Sequence, residues 1–314
     1  MTKEPVRKAL SFRPQALHST DMTPPPPRVL IIGGNSSIAR HLLTLLPDAR
    51  AVARTGARSR VTAVDDYRRL HSRHFSDIGT VINCAGIVTG PETALRAVNV
   101  DLQVALAAAA RDAGVARYVA ISSFSIFGAC ERIDPNTPTA PEDAYGNSKL
   151  DGDHALRRLQ TDRFATVSVA FPAIIGTTRI GKVERMLHLW QRIGIWPVPP
   201  GDIERSMIGA EGAAQVLACA AADEVTGRVL AADPVAFSYC DAAKWLREDV
   251  GGAFAHLRIP RVGVALFRRT MPSLYRSTMS DSLLDPACNY AVGCDVESSL
   301  RRELANAILR GTNR

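Results

Sequence analysis

Arg28-Val29-Leu30-Ile31-Ile32-Gly33-Gly34-Asn35-Ser36-Ser37-Ile38-Ala39-Arg40-His41-Leu42-Leu43-Thr44-Leu45-Leu46 reads as a buried strand, a turn of small residues and a helix. A short apolar run closed by glycines suits a strand covered on both faces. Small turn residues let the backbone approach a pyrophosphate, and the helix N-terminus meets that negative charge with its own partial positive charge. The order predicts a dinucleotide site drawing on Gly33, Asn35, Ser36, Ser37 and Ile38. Further strands are expected at about Arg50 to Ala53, Val61 to Val64, Thr80 to Asn83, Arg117 to Ile121 and Ala165 to Ala170. Helices are expected from Glu92 to Ala113, from Ala144 to Leu159 and from Lys182 to Ile193. This alternation predicts an α/β chain with a doubly wound parallel sheet of Rossmann type, followed by a smaller C-terminal substrate-binding region.

The strand from Arg117 delivers Ser122 and Ser123 to its C-terminal end, where open α/β sheets place their ligands. Twenty-two residues after Ser123 comes Tyr145-Gly146-Asn147-Ser148-Lys149. On a helix this spacing puts the phenol and the ammonium on one face, one turn apart. A free phenol titrates near pH ~10, roughly three units too high for acid/base work at neutral pH. Lys149 is the expected source of the preference for phenolate, about 4 kcal/mol. Ser123 is expected to hydrogen-bond the substrate oxygen that Tyr145 protonates or deprotonates.

These segments, Ser122-Ser123-Phe124-Ser125-Ile126-Phe127-Gly128 and Tyr145-Gly146-Asn147-Ser148-Lys149-Leu150, resemble the extended short-chain dehydrogenase/reductase family. The resemblance implies hydride transfer with Ser123, Tyr145 and Lys149 as catalytic residues. Ser123 is preferred to Ser122 because it stands five before Gly128. In the turn after the first strand the family has Gly-x-x-Gly-x-x-Gly, whereas this chain has Ser36 and Ala39 at the second and third glycines. Cys84, Ala85 and Gly86 are similar to a family segment lining the cofactor, and Pro172 to a proline turn near the nicotinamide, with Phe171 where the family often has arginine. Asn99 resembles a position that supports the site.

The passage from Arg205 to Val216 and the segments 282–285 and 292–300 are similar to the nucleotide-sugar epimerase and 4-ketoreductase branch. This implies Arg205 as a diphosphate ligand, with Ser125 and Phe127 also on the substrate, while Asn289 occupies the place of a usual basic residue. Relatives in this family pair the two helices that follow the fourth and fifth strands, so a homodimer is expected.

At the end of the second strand an NAD site would carry an acid about twenty residues beyond the first glycine. Arg54 stands there, with Arg58 and Arg60 close by, which favours a ribose 2′-phosphate and NADP rather than NAD. Asp65 or Asp66 is placed to accept from adenine.

The chain has 314 residues, 46% of them hydrophobic, and a formal charge of +7. These values fit a globular protein with anionic partners. A nucleotide cofactor and a nucleotide-linked substrate use that charge; no nucleic-acid motif is seen. Six cysteines without a Cys-x-x-Cys pair suggest reduced thiols and a cytoplasmic setting, and His71 and His74 lack metal-ligand spacing, so no metal is expected. No apolar run is long enough for a membrane span. Residues 1–27, ending in four prolines, are expected to be a disordered tail, 28–172 a dinucleotide-binding domain and 173–314 the substrate-binding region. The reading left open is NADP-dependent reduction or epimerisation at C4 of a nucleotide sugar, reduction of a hydrophobic carbonyl compound, or a non-enzymatic NADP-sensing regulator on the same fold.

Overall fold

The computed structural model describes residues 28–57, 59–176, 189–190, 192–198, 203–249, 255–271, 275 and 282–312. The expected tail, Arg58 and most of the helix expected from Lys182 to Ile193 lie outside them.

Seven strands form one sheet: β1 (Arg28–Ile32), β2 (Arg50–Ala53), β3 (Val61–Ala63), β4 (Ile78–Asn83), β5 (Arg117–Ser123), β6 (Ala165–Phe171) and β7 (Gly227–Leu230). Their spatial order is β3-β2-β1-β4-β5-β6-β7 and every pairing is parallel. The chain reverses direction between β1 and β4, so a crevice opens there at the carboxyl edge.

Successive strand residues point to opposite faces, and the packing follows that alternation. Ile31, Ile82 and Val119 pack beneath α1 (Ser37–Leu45) and a helix at Ala210–Ala222. Leu30, Ile32, Val81, Tyr118 and Ala120 face the other layer, which includes Leu102, Leu106 and Leu156. Burying a residue such as Leu42 or Ile82 contributes about 1.5 to 3 kcal/mol, and both are fully buried.

The helix expected from Glu92 to Ala113 is three pieces. They are α2 (Glu92–Arg96), a π-helical stretch at Ala97–Leu102 and α3 (Gln103–Asp112). The widened turn carries Asn99, and such turns are frequent at functional sites. The second layer is completed by α4 (Ala144–Arg157), whose N-cap Asp143 accepts from the Gly146 amide at 2.7 Å.

The C-terminal region has its own core around Trp196, Phe237, Tyr239, Leu300 and Leu304. Strand pairing ties it to the sheet, alongside the helix at Ala210–Ala222. Met207–Gly209 pairs with Ala173–Ile175, just after β6, and β7 returns to the sheet edge. Asn289 is buried and exchanges two hydrogen bonds with the Ala232 backbone, 3.0 and 3.1 Å. At this position the side chain holds the closing segment to the end of β7.

Candidate active site

The turn after β1 is built for close backbone approach. Gly33 has φ +88°, and a Cβ there would lie 2.9 Å from the Ala85 amide nitrogen. A side chain is therefore excluded by both conformation and space. Ser36 does not crowd the turn: its hydroxyl accepts from the Ala39 amide at 3.1 Å as the N-cap of α1. It also hydrogen-bonds Cys84, whose thiol burial pushes up to about 12. The Ser37 and Ile38 amides, in the first helical turn, have no intrahelical acceptor. With Gly33 they fit a bound pyrophosphate.

Asn35 joins this turn to the end of β2, donating to the Thr55 carbonyl at 2.6 Å and to its hydroxyl at 3.3 Å. Arg54 is exposed beside it. Arg60 is not part of this edge: its guanidinium donates to the Leu46 and Pro47 carbonyls, 3.3 and 2.9 Å, at the end of α1. Asp66 is half committed, one oxygen capping the Arg68 amide at 2.9 Å and the other 3.8 Å from its guanidinium. Tyr67, which nothing in the sequence singles out, is buried with its hydroxyl against the Arg54 and Gly33 backbones.

Farther along the edge, register alone assembles the reacting centre. Asn83 pairs with Ala120, and Ser123 pairs with Phe171, so Cys84-Ala85-Gly86, Ser123 and Pro172 follow neighbouring strand ends. Phe171 itself is buried in the sheet core. Two glycines set how closely α4 docks. A Cβ at Gly146 would lie 2.5 Å from the Ser125 carbonyl oxygen, and one at Gly152 would lie 2.6 Å from that of Asn99. Between them, Tyr145 is brought to Ser123. Burial raises the Tyr145 pKa, a hydrogen bond with the Ser123 hydroxyl acts against it, and Asp143 and Asp153 add to the rise.

The expectation that Lys149 lowers the phenol pKa is not met in this structure. Lys149 is 7% exposed and its Nζ donates to the Ile121 carbonyl at 2.8 Å. Burial lowers its own pKa to about 8, against the pull of Asp153. It sits beside Gly86, where a Cβ would be 3.6 Å from Nζ. Asn99 donates to the Ile87 carbonyl at 2.9 Å and to Ser148 Oγ at 3.0 Å, and accepts from the Ile87 amide at 3.1 Å. It thereby ties the cofactor-side turn to α4.

Of the residues expected on the substrate, Ser125 is close: its hydroxyl accepts from Ser123 Oγ at 3.2 Å. Phe127 is 4% exposed and packs edge-to-face on Phe124, inside the protein. Arg205 is half-buried in the C-terminal region, two residues before Met207, which pairs with Ala173 at the catalytic edge. Its charge opposes the burial that raises Tyr239 to about 12. The reading from sequence also passed over Asp153 and Arg228, which meet behind Lys149. The spacing of four from Lys149 to Asp153 was the available signal.

Among the described residues there is no cluster of ligands for a metal ion, and no helix is long and apolar enough to cross a membrane. All six cysteines are unpaired.

Residues 29–228 match the profile of the NAD dependent epimerase/dehydratase family. Over 160 residues the chain is 30% identical to the UDP-glucose 4-epimerase of Azospirillum brasilense, taking in 44% of this chain and 46% of that protein. The match thus spans about half the length of that relative. Among solved structures, the UDP-Glc/GlcNAc 4-epimerase of Campylobacter jejuni has a TM-score of 0.72 at 14% identity, covering 92% of this chain and 100% of its own. The UDP-glucuronic acid 4-epimerase of Bacillus cereus in complex with NAD scores 0.70 at 15% identity, covering 91% and 97%. MoeE5 in complex with UDP-glucose and NAD scores 0.68 at 20% identity, covering 91% and 99%. At these identities the likeness is one of fold.

Proposed function

The chain belongs to the NAD dependent epimerase/dehydratase family, and from that premise we propose that it catalyses hydride exchange at C4 of a nucleotide-linked sugar, with NADP as cofactor. The observation that carries this reading is the juxtaposition of the Ser123 hydroxyl and the Tyr145 phenol, with Lys149 one turn along, at the carboxyl edge of the sheet.

Tyr145 gives its phenol proton to the sugar oxygen when a ketone is reduced and, as the phenolate left behind, takes that proton back when an alcohol is oxidised. Ser123 holds the same oxygen and stabilises its developing charge. The cofactor, when bound, supplies the hydride acceptor and donor. Gly33, Asn35, Ser36, Ser37 and Ile38 would hold its pyrophosphate, Cys84, Ala85, Gly86, Lys149 and Pro172 its nicotinamide end, and Asp66 its adenine. Arg54 would pair with the 2′-phosphate, helped by Arg58. Arg205, with Ser125 toward the sugar, is assigned to the substrate. On this reading 28–172 is the cofactor half and 173–314 the substrate region. NAD is the alternative cofactor, because the solved relatives in complexes are named with NAD.

The substrate class is tested by thermal shift, since a ligand that binds only the folded state stabilises it, by about 2.7 kcal/mol at a hundred times its Kd. With NADPH present, a uridine diphosphate sugar is expected to raise Tm beyond NADPH alone. No response to any nucleotide sugar, alongside a response to hydrophobic carbonyl compounds, replaces this reading with the second enzymatic one.

The same reading includes assembly. The layer formed by α2, α3 and α4 is rich in small residues, and pairing it across a two-fold axis gives an isologous homodimer. Light scattering at micromolar protein is expected to return twice the chain mass; a monomer mass there removes the dimer.

A further inference from the structure

Asp153 stands one helical turn beyond Lys149 on α4 and is 7% exposed. Its Oδ2 accepts from Ser122 Oγ at 2.8 Å and from Arg228 Nε at 3.1 Å. Lys149 Nζ donates to the carbonyl of Ile121. Three consecutive residues at the end of β5 are therefore gripped by α4: Ile121 by Lys149, Ser122 by Asp153, and Ser123 by Tyr145. A carboxylate this deeply buried costs several kcal/mol unless its charge and lone pairs are matched. A clamp of β7 onto α4 explains the contact with Arg228. It does not explain why the same oxygen is spent on the residue before Ser123.

We propose that Asp153 is a positioning residue of the Tyr145–Lys149 centre: its carboxylate is the counter-charge of the Lys149 ammonium and, through Ser122, the anchor of the strand end that presents Ser123. Arg228 competes for that charge through its own contact with Oδ2. Asp153 lines a cavity of about 110 Å³ with His154 and Arg157 of α4, Arg228 of β7 and the uncharged Thr166 and Ser168 of β6, and it also acts on Lys149 and Tyr145 of α4 and accepts from Ser122 of β5. Removing the carboxylate leaves burial to act on Lys149 unopposed, so the ammonium is lost at lower pH. Removing Arg228 has the opposite sign. The inference rests on the role given to Lys149 above, but it is tested without a substrate.

The chain contains five lysines, Lys3, Lys8, Lys149, Lys182 and Lys244, so labelling lysine Cε with ¹³C gives five signals, and Lys149→Arg identifies the one that matters. In the wild type the Lys149 signal is expected to titrate near 8. Asp153→Asn should lower the midpoint by about one pH unit or more, the size of effect for a nearby opposite charge. Arg228→Gln should raise it. Ser122→Ala, which keeps both charges, should leave it in place. An unmoved midpoint in Asp153→Asn overturns the proposal, as does a shift in Ser122→Ala as large as that in Asp153→Asn, which would mark a packing effect. If Asp153→Asn does not fold, Arg228→Gln decides: a midpoint that stays or falls overturns it. Turnover of Tyr145→Phe is read separately, so a failure of the proposed function and a failure of this inference are distinguishable.

Discussion

Tyr145→Phe is expected to lower turnover by about 10² to 10⁴ while leaving NADPH affinity nearly unchanged, the range for removing a positioned acid/base. That is about 3 to 5.5 kcal/mol of transition-state free energy. The ring survives the substitution and so does its packing; what goes is the phenol hydroxyl that hydrogen-bonds Ser123. Gly33, Gly86 and Lys149 keep their positions, because the hydrogen bond from Lys149 to the Ile121 carbonyl does not involve the phenol. The residual rate comes from Ser123, whose hydroxyl still holds the substrate oxygen. Steady-state kinetics on a substrate identified by thermal shift, with NADPH titrated by fluorescence, makes the check. Unchanged turnover removes Tyr145 from the chemistry.

Arg54→Ala separates the two cofactors. A charge-assisted contact to a 2′-phosphate contributes about 1.5 to 3 kcal/mol, so NADPH should bind roughly ten- to a hundredfold more weakly and NADH hardly differently. Arg60 is engaged at the C-terminus of α1 and is left out of the proposed phosphate contact. Arg58 remains, and the double change of Arg54 and Arg58 is the stricter form. The cofactor also bears on reaction type: an epimerase keeps its cofactor through both half-reactions, whereas a reductase releases NADP after every turnover. If the wild type binds NADH as tightly as NADPH, or is purified with NAD bound, the 2′-phosphate assignment fails.

The sheet was legible because buried parallel strands are local apolar runs. Arg28–Ile32 and Arg50–Ala53 are found with the expected bounds, and β5 and β6 within two residues. The π turn at Ala97–Leu102 was not legible, since it depends on how Asn99 meets Ile87 and Ser148, residues far away in sequence. Arg60 and Asp66 show the same limit. Charge tells that a residue is polar, whereas only the fold tells whether a helix end or a neighbouring amide has already claimed it. Phe127 followed the serine segment in sequence, yet the 3₁₀ turn at Phe124–Phe127 rotates it into the core. Asp153 was hidden because its partner Arg228 is 75 residues away.

The docking of α4 has one more consequence. At Gly146 and Gly152 the helix rests on the carbonyl oxygens of Ser125 and Asn99, so backbone meets backbone on either side of Lys149. Side chains that pack a helix can be exchanged for others of similar volume, and the helix then drifts by fractions of an ångström. Contacts through missing side chains offer no such exchange. The spacing between phenol and serine is thus stored in atoms the chain lacks, at two positions that carry no chemistry themselves.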